Sequence, residues 1–381
     1  MYNDSYLKKI VEKYEDENVS DEQILELICE LANSGKKIQF AHQVFDFAST
    51  GGPSSLTTLL VPLYLYGMGG GVINLAVMGR PAGAVDVLSQ IEGYNLESIH
   101  NNFKMEPPFY IHLVANQSFA PLDKALFEYR KKIGKVNVPN LAIASLLSKK
   151  VASGARHIGL DVRVSKFGNF GEDWAANVRN ARKFNVLAEQ LGIQSTCFLS
   201  DANNPYQKYI GRGEALEALY DIFENEMDNQ LGEHLQYCEM VAKRIIDKAG
   251  IAHSRKRVDL KKCFEDNLQL QGSNYDCFIS AVKTVKEQSH TIVYAGKRGY
   301  LRYNLEKIRS YIVRRQNMEQ SNAKYPDPVG VVLLCKAGDF VENGTPIFSV
   351  RNLASEDREK LSELYDIQKE KIVIVRKNEV I

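Results

Sequence analysis

Between residues 107 and 205, short apolar runs alternate with helix-forming stretches, and this alternation limits what the chain can fold into. Phe109-Tyr110-Ile111-His112-Leu113-Val114-Ala115 follows Pro107-Pro108 and reads as a strand leaving a turn; Ala120-Pro121-Leu122-Asp123 then opens a helix with Pro at its start. The stretch 141–151 is almost wholly apolar until Lys149 and Lys150 and reads as a helix. A strand over 157–164 ends in a Gly-bearing loop, a long helix is expected over 174–191, and a strand over 193–199 is closed by Ser200-Asp201-Ala202-Asn203-Asn204-Pro205. Such alternation builds a mainly parallel sheet flanked by helices, with ligands beyond the C-terminal ends of the strands. The loops after Val164 and Leu199 are therefore expected to face a common crevice. Nearer the start, Ser20-Asp21-Glu22-Gln23 is a capping-box pattern, followed by Ile24, Leu27, Ile28 and Leu31 at helical spacing, with Gly35 as the stop. From about residue 286 short alternating strands and turns take over, which predicts a separate α+β module.

Within this frame, Asp46-Phe47-Ala48-Ser49-Thr50-Gly51-Gly52 carries the strongest chemical signal. Two adjacent glycines let backbone N–H groups approach a ligand, and Ser49, Thr50, Ser54, Ser55, Thr57 and Thr58 add hydroxyls. The turn suits an anion, most often phosphate. A tight strand-to-helix connection whose hydroxyls only cap the helix explains the same residue types.

Composition removes several alternatives. With 48 basic and 47 acidic residues the chain has no electrostatic footprint for nucleic acid or an anionic membrane, so any anion is held locally. The polar start has no apolar signal segment, and the most apolar stretches are interrupted by Gly, Pro, Ser, Lys and Asn, so no membrane span is expected. Six scattered cysteines without a C-x-x-C pair favour a reducing, cytoplasmic setting over a disulfide framework or structural zinc. The seven histidines show neither H-x-x-x-H nor H-E-x-x-H spacing, so no protein-bound catalytic metal is expected.

A series of short motifs, in order along most of the chain, resembles the pyrimidine-nucleoside phosphorylase family, which includes thymidine phosphorylase. It runs through Ser49-Thr50-Gly51-Gly52, Gly83-Ala84-Val85-Asp86-Val87-Leu88, and Ala120-Pro121-Leu122-Asp123-Lys124 with Arg130. It continues in Ile143-Ala144-Ser145-Leu146-Leu147-Ser148-Lys149-Lys150, Leu160-Asp161-Val162-Arg163-Val164, 200–205, Ile210-Gly211 and Glu214-Ala215-Leu216-Glu217. The last matches are Asp327-Pro328-Val329-Gly330, Lys336-Ala337-Gly338-Asp339 and Gly344. The resemblance implies an α/β fold of the nucleoside phosphorylase type II kind. A small helical domain (1–35 and 116–152) would bind the base, a larger α/β domain with a mainly parallel sheet (36–115 and 153–285) the phosphate, and 286–381 would form a C-terminal α+β domain.

It also implies a reaction in the interdomain cleft: phosphorolysis of a pyrimidine (deoxy)nucleoside to free base and (deoxy)ribose 1-phosphate. No cofactor is implied beyond inorganic phosphate as co-substrate. Base recognition falls to Arg130, Ser145 and Lys149, with Phe170 beside the base. Ser145 and Lys149 stand at i and i+4, on one helix face. Two cations and a hydroxyl aimed at a pyrimidine that gains negative charge as the glycosidic bond lengthens stabilise the departing anion more than the neutral substrate. Without the resemblance, Lys149-Lys150 would read as charge on a helix C-terminus.

The phosphate side departs from the better-known members, which carry Lys and His where this chain has Phe47 and Ala48. Thr58 matches a phosphate-contacting Ser, while Ala84 stands in place of a phosphate-contacting Thr. Ser49, Thr50, Gly51, Gly52, Ser54, Ser55 and Thr58 remain as the expected phosphate ligands, and Arg80, in Met78-Gly79-Arg80-Pro81-Ala82-Gly83, is the cation in position to replace the Lys. If it does not, the chain would be a nucleoside hydrolase, a transglycosylase or a non-catalytic nucleoside binder. The stretch before the turn is shorter than in relatives, at the helices that help form their dimer interface, so a homodimer would need a modified surface. Asp161 and Asp201 are expected to order loops beside the cleft, and Gly67-x-Gly69-Gly70-Gly71 reads as a turn before a strand rather than a dinucleotide loop.

Overall fold

The computed structural model describes residues 2–16, 18–52, 56–99, 106–166, 168–252, 257–319, 326–371, 374 and 377–381. Two helices open the chain, α1 (Asp4–Tyr14) and α2 (Asp21–Asn33). The second starts on the expected capping box: the Ser20 hydroxyl accepts from Gln23 N–H, and Ser20 N–H donates to the Gln23 side chain. Then follow β1 (Val44–Ser49), α3 (Thr57–Gly67), β2 (Gly71–Ala76), α4 (Ala84–Leu88), β3 (Phe109–Val114), α5 (Pro121–Lys132), α6 (Pro139–Ser153), β4 (His157–Val164), α7 (Trp174–Gln190) and β5 (Gln194–Asp201). A short β6 (Tyr209–Ile210) precedes α8 (Arg212–Phe223), α9 (Asn229–Lys248), α10 (Leu260–Leu270) and α11 (Tyr275–Lys286). The remainder holds β7 (His290–Tyr294), β8 (Gly299–Tyr303), α12 (Leu305–Met318), β9 (Val331–Leu333), β10 (Phe340–Val341), β11 (Pro346–Arg351), a 3-10 segment (Ser355–Leu364), β12 (Tyr365–Gln368) and β13 (Asn378–Val380).

The main sheet has the order β13-β5-β4-β1-β2-β3 and is parallel except for β13, which pairs antiparallel with β5. The α/β fold with a mainly parallel sheet is thus the one its strand and helix alternation requires. Period-two alternation divides β1 between the two faces of the sheet. Phe45 and Phe47 enter a cluster with α3, α9 and α10, while Ala48 meets the cluster formed by α1, α2, α6 and α7. Asp46 therefore points toward α6, which decides its partner below.

The helices of 1–35 and 116–152 pack as a group, α2 on α6 and α1 on α5. Their apolar residues, Leu27, Leu31, Leu141 and Leu147 among them, continue into one cluster with Ile158 and Leu160 of β4 and Phe184 of α7. The helical unit is thereby fused to one face of the sheet.

The C-terminal stretch forms two antiparallel sheets, β10-β8-β12 and β6-β9-β11-β7, over a cluster of its own. The chain departs from a division at 286 in two places. β6, from before α8, joins the four-stranded sheet, and β13 returns to the main sheet, where Trp174 Nε1 donates to Glu379 (2.8 Å). Across the same border Arg351 is buried with Glu214 of α8 (2.7 Å) and Asp327 (2.7 Å).

Candidate active site

A cleft of about 830 Å³, part of it open to solvent, lies beyond the C-terminal ends of β1 and β2. One wall is α6 with Arg130 of α5; the other is the loop over 78–83 and the start of α4. Arg130, Ser145 and Lys149 line it together with Ser49, Gly51, Gly52, Thr58 and Arg80, so residues up to about 100 positions apart in sequence meet in one space. Gly51 and Gly52 have φ of 104° and 142°, a left-handed backbone open to glycine, and Gly51 N–H donates to Ser49 Oγ (2.9 Å).

At the α6 end the chain keeps its cations out of water. Lys149 is 3 % exposed and Lys150 1 %, so neither is the solvated helix end that a Lys-Lys pair usually marks. Lys149 Nζ donates to Asp123 (2.7 Å) and to Ser145 Oγ (2.8 Å), and also to the Ser145 carbonyl. Lys150 donates to Asp46, which accepts from Asn74 as well (2.9 Å). Arg130 commits three of the guanidinium's N–H groups to the carbonyls of Lys135 (3.1 Å), Val136 (2.6 Å) and Leu141 (3.4 Å), which fixes its plane against the cleft wall.

At the other end, Arg80 is half-buried and stacks on Phe127, with its guanidinium carbon 4.7 Å from the ring centre. Its Nη1 lies 3.9 Å from where a Cβ on Gly51 would stand, which brings it over the Ser-Thr-Gly-Gly turn. Its loop is tied down from below. Asp86 accepts from Gly79 N–H (2.7 Å) and Arg80 N–H (3.3 Å), and Arg212 donates to the Arg80 carbonyl (2.8 Å) and to Asp86 (3.3 Å).

These charges press on one another. Withdrawal from water and the nearby Arg309 push Arg80 down to about 10, against the pull of Asp86 and Asp123. Burial and the charge of Arg80 bring Arg130 down to about 10. Burial also lowers Lys149, with Asp123 opposing and Lys150 and Arg80 adding to the fall. The cleft concentrates positive charge at low dielectric, where an anion gains most.

Some expected ligands lie elsewhere. Phe170 is fully buried, packs against Phe184 with ring centres 6.2 Å apart, and does not line the cleft; its neighbour Asn169 does. Apolar surface at the end of the β4 loop is drawn into the core under α7, leaving the polar residue at the rim. Thr50 is buried and spans two strands: its N–H donates to the Asp161 carbonyl (3.0 Å) and its Oγ1 accepts from Arg163 N–H (2.9 Å). Ala84 lines the cleft without a hydroxyl, and Ser54 and Ser55 fall outside the described residues. Asp161 accepts from Thr57 (3.0 Å) and Ser200 (3.2 Å), and Asp201 accepts from Asn203 and Asn204, so both order loops.

Sequence reasoning gave no role to Asp123, Asn74, Lys150, Asn169 or Arg212. Asp123 and Lys150 sit inside the family-like motifs, and the signal that marks them is the need of each buried lysine for a carboxylate: Asp123 for Lys149 and Asp46 for Lys150.

Curated relatives align along nearly the whole chain. A pyrimidine-nucleoside phosphorylase of Staphylococcus epidermidis is 24% identical over 361 residues, covering 89% of this chain and 82% of its own. One from Bacillus subtilis is 25% identical over 370 residues (92% and 84%), and a thymidine phosphorylase of Sinorhizobium fredii is 25% identical over 354 (87% and 80%). The chain is thus similar over most of its length to pyrimidine-nucleoside and thymidine phosphorylases. No family model matches it. Among solved structures, an anthranilate phosphoribosyltransferase from Thermus thermophilus aligns with 74% of this chain and 95% of its own, at 14% identity and a TM-score of 0.46. Phe47 is fully buried and Ala48 nearly so, and neither offers charge to the cleft. No helix among the described residues is long and apolar enough to cross a membrane.

Proposed function

We propose that this chain is a pentosyltransferase that cleaves the N-glycosidic bond of a pyrimidine (deoxy)nucleoside with inorganic phosphate, giving free base and (deoxy)ribose 1-phosphate. The observation that carries the reading is the pairing, in one cleft, of Arg130, Ser145 and Lys149 at one end with Arg80 over the Gly51-Gly52 turn at the other. The base would lie along α6 and the phosphate against the turn, with the sugar between them.

In the reaction a phosphate oxygen bonds to the anomeric carbon as its bond to the ring nitrogen breaks. The bonding pair leaves with the base, and the proton of monohydrogen phosphate ends on that nitrogen. Negative charge grows on the base edge while the pentose passes through an oxocarbenium-like state. Lys149 and Arg130, held by Asp123 and by backbone carbonyls, need little reorganisation to meet that charge. Ser145 supplies a hydroxyl on the same helix face.

On the phosphate side, Arg80 takes the part of the missing Lys. Its fork can engage two oxygens, with Ser49, Thr58 and the Gly52 N–H as further donors. The first turn of α3, which carries Thr58, adds the favourable end of a helix dipole. Release of uracil from uridine, or thymine from thymidine, should depend strictly on added phosphate. Equal rates without it would mark a hydrolase, and micromolar nucleoside binding without product would mark a binding protein.

A further inference from the structure

Asn74 and Asn169 line the cleft and belong to neither of its charged ends. Asn74 is on β2 and Asn169 on the loop after β4, and each is only 5 % exposed. They reach the cleft from opposite sides of β1, because the sheet order puts β2 on one flank of that strand and β4 on the other.

The Asn74 amide is fixed. Its Nδ2 donates to Asp46 Oδ1 (2.9 Å) and to the Phe47 carbonyl (2.9 Å), and since both partners are acceptors the amide has one orientation. Both N–H groups are thereby spent, and Oδ1 is left as an acceptor with no donor among the described residues. Asn169 is held only through its backbone surroundings: Gly168 N–H donates to the Ser165 carbonyl (2.9 Å), and the Phe170 carbonyl accepts from Asn180 (2.9 Å). Its own side chain makes no hydrogen bond among the described residues, although it is almost withdrawn from water. Polar groups so placed gain most from a ligand that meets them.

Their position decides which part of a ligand that is. Asn74 is linked through Asp46 to Lys150, which adjoins Lys149 at the base end, and through Phe47 to the strand that runs into the Gly51-Gly52 turn at the anion end. It stands between the two. An acceptor with no proton to give repels a phosphate dianion and suits a hydroxyl donor. In a nucleoside the part that spans base and phosphate is the pentose, and its hydroxyls are such donors.

We propose that Asn74 and Asn169 recognise the pentose, Asn74 by accepting from one hydroxyl through Oδ1 and Asn169 by pairing its amide with another, so that the two asparagines set which pentose the cleft takes. This rests on the reading of the cleft as a nucleoside site. A site that hydrogen-bonds a substrate hydroxyl rejects the analogue lacking it, because its own polar group is then left unmet.

The test is titration calorimetry of the full chain with uridine and with its 2′-, 3′- and 5′-deoxy analogues, for the wild type, Asn74→Ala and Asn169→Ala. Thermal melts confirm folding, and Asn169→Ala, which removes no hydrogen bond among the described residues, carries the test if Asn74→Ala does not fold. Each folded variant should weaken uridine binding about fivefold or more, and should match the wild type on the one deoxy analogue that lacks the hydroxyl its amide meets. Unchanged uridine affinity in Asn169→Ala or in a folded Asn74→Ala would overturn the inference. So would losses shared by all three deoxy analogues, which would place the amide on the base, or a wild type that binds no uridine. Hydroxyl-dependent losses without phosphate-dependent base release would keep this inference and remove phosphorolysis. Phosphate-dependent base release with binding indifferent to both asparagines would do the reverse.

Discussion

Lys149 and Asp123 form a buried ion pair at 2.7 Å, with side chains 4 % and 1 % exposed, and Asp123 keeps a second buried oxygen with no hydrogen-bond partner among the described residues. The pair holds the base-end cation in place and makes it costly to remove. Lys149→Met should lower kcat/KM by about 10²-fold or more, and destabilise the fold by about 3–5 kcal/mol by leaving a lone buried carboxylate. Adding Asp123→Asn should restore most of the stability and none of the activity, read by denaturation and steady-state kinetics. Recovery of activity in the double variant would contradict the role given to Lys149.

At the anion end, Arg80→Ala should raise the KM for phosphate by about tenfold or more while the nucleoside KM changes little. Initial rates over a grid of both substrates separate the two. A matched rise in both would mean that Arg80 shapes the cleft without holding the anion.

The two threonines of the turn region differ in use. Thr50 bridges β1 and β4 through Arg163 N–H, whereas Thr58 faces the cleft. Thr50→Val should cost about 1–2 kcal/mol in urea unfolding, because it orphans a buried N–H, and leave the phosphate KM near its wild-type value. Thr58→Val should instead raise the phosphate KM.

Glu217 supplies a pH test of the fold. It is buried on α8 with Oε1 unpartnered among the described residues, and burial first, then the charge of Glu214, raises its carboxyl to about 7 from an ordinary 4.5. Between those values the folded protein keeps a proton that the unfolded chain has released. The stabilisation is therefore complete below about 4.5, falls as pH rises and is gone above about 7. Glu217→Gln should flatten this profile and exceed the wild type by about 1–3 kcal/mol at pH 8. Parallel wild-type and variant curves from denaturant titrations across that range would reject the assignment.

Regular local signals made much of this fold legible. The capping box at Ser20, the strand over 157–164 and the helix from Trp174 stand where side-chain pattern puts them, because each is decided within a few residues. Motif order also singled out Arg80, Arg130, Ser145 and Lys149, which line one cleft, but not Asn74, Lys150 or Asn169, which line it too. What sequence could not show was which way side chains turn at a boundary between core and rim. Phe170 and Thr50 lie next to cleft residues, yet one is drawn into apolar packing and the other into a strand-to-strand bond. The return of β13 to the main sheet and the approach of α12 to the Arg80 loop are long-range pairings that no local pattern announces.

The central claim is that phosphate, not water, takes the sugar. Phosphorus NMR of the wild-type chain incubated with uridine or thymidine and inorganic phosphate reads this directly. A new sugar 1-phosphate resonance, growing in step with free base, is the predicted result. Free base without that resonance, at a rate indifferent to phosphate, would contradict it.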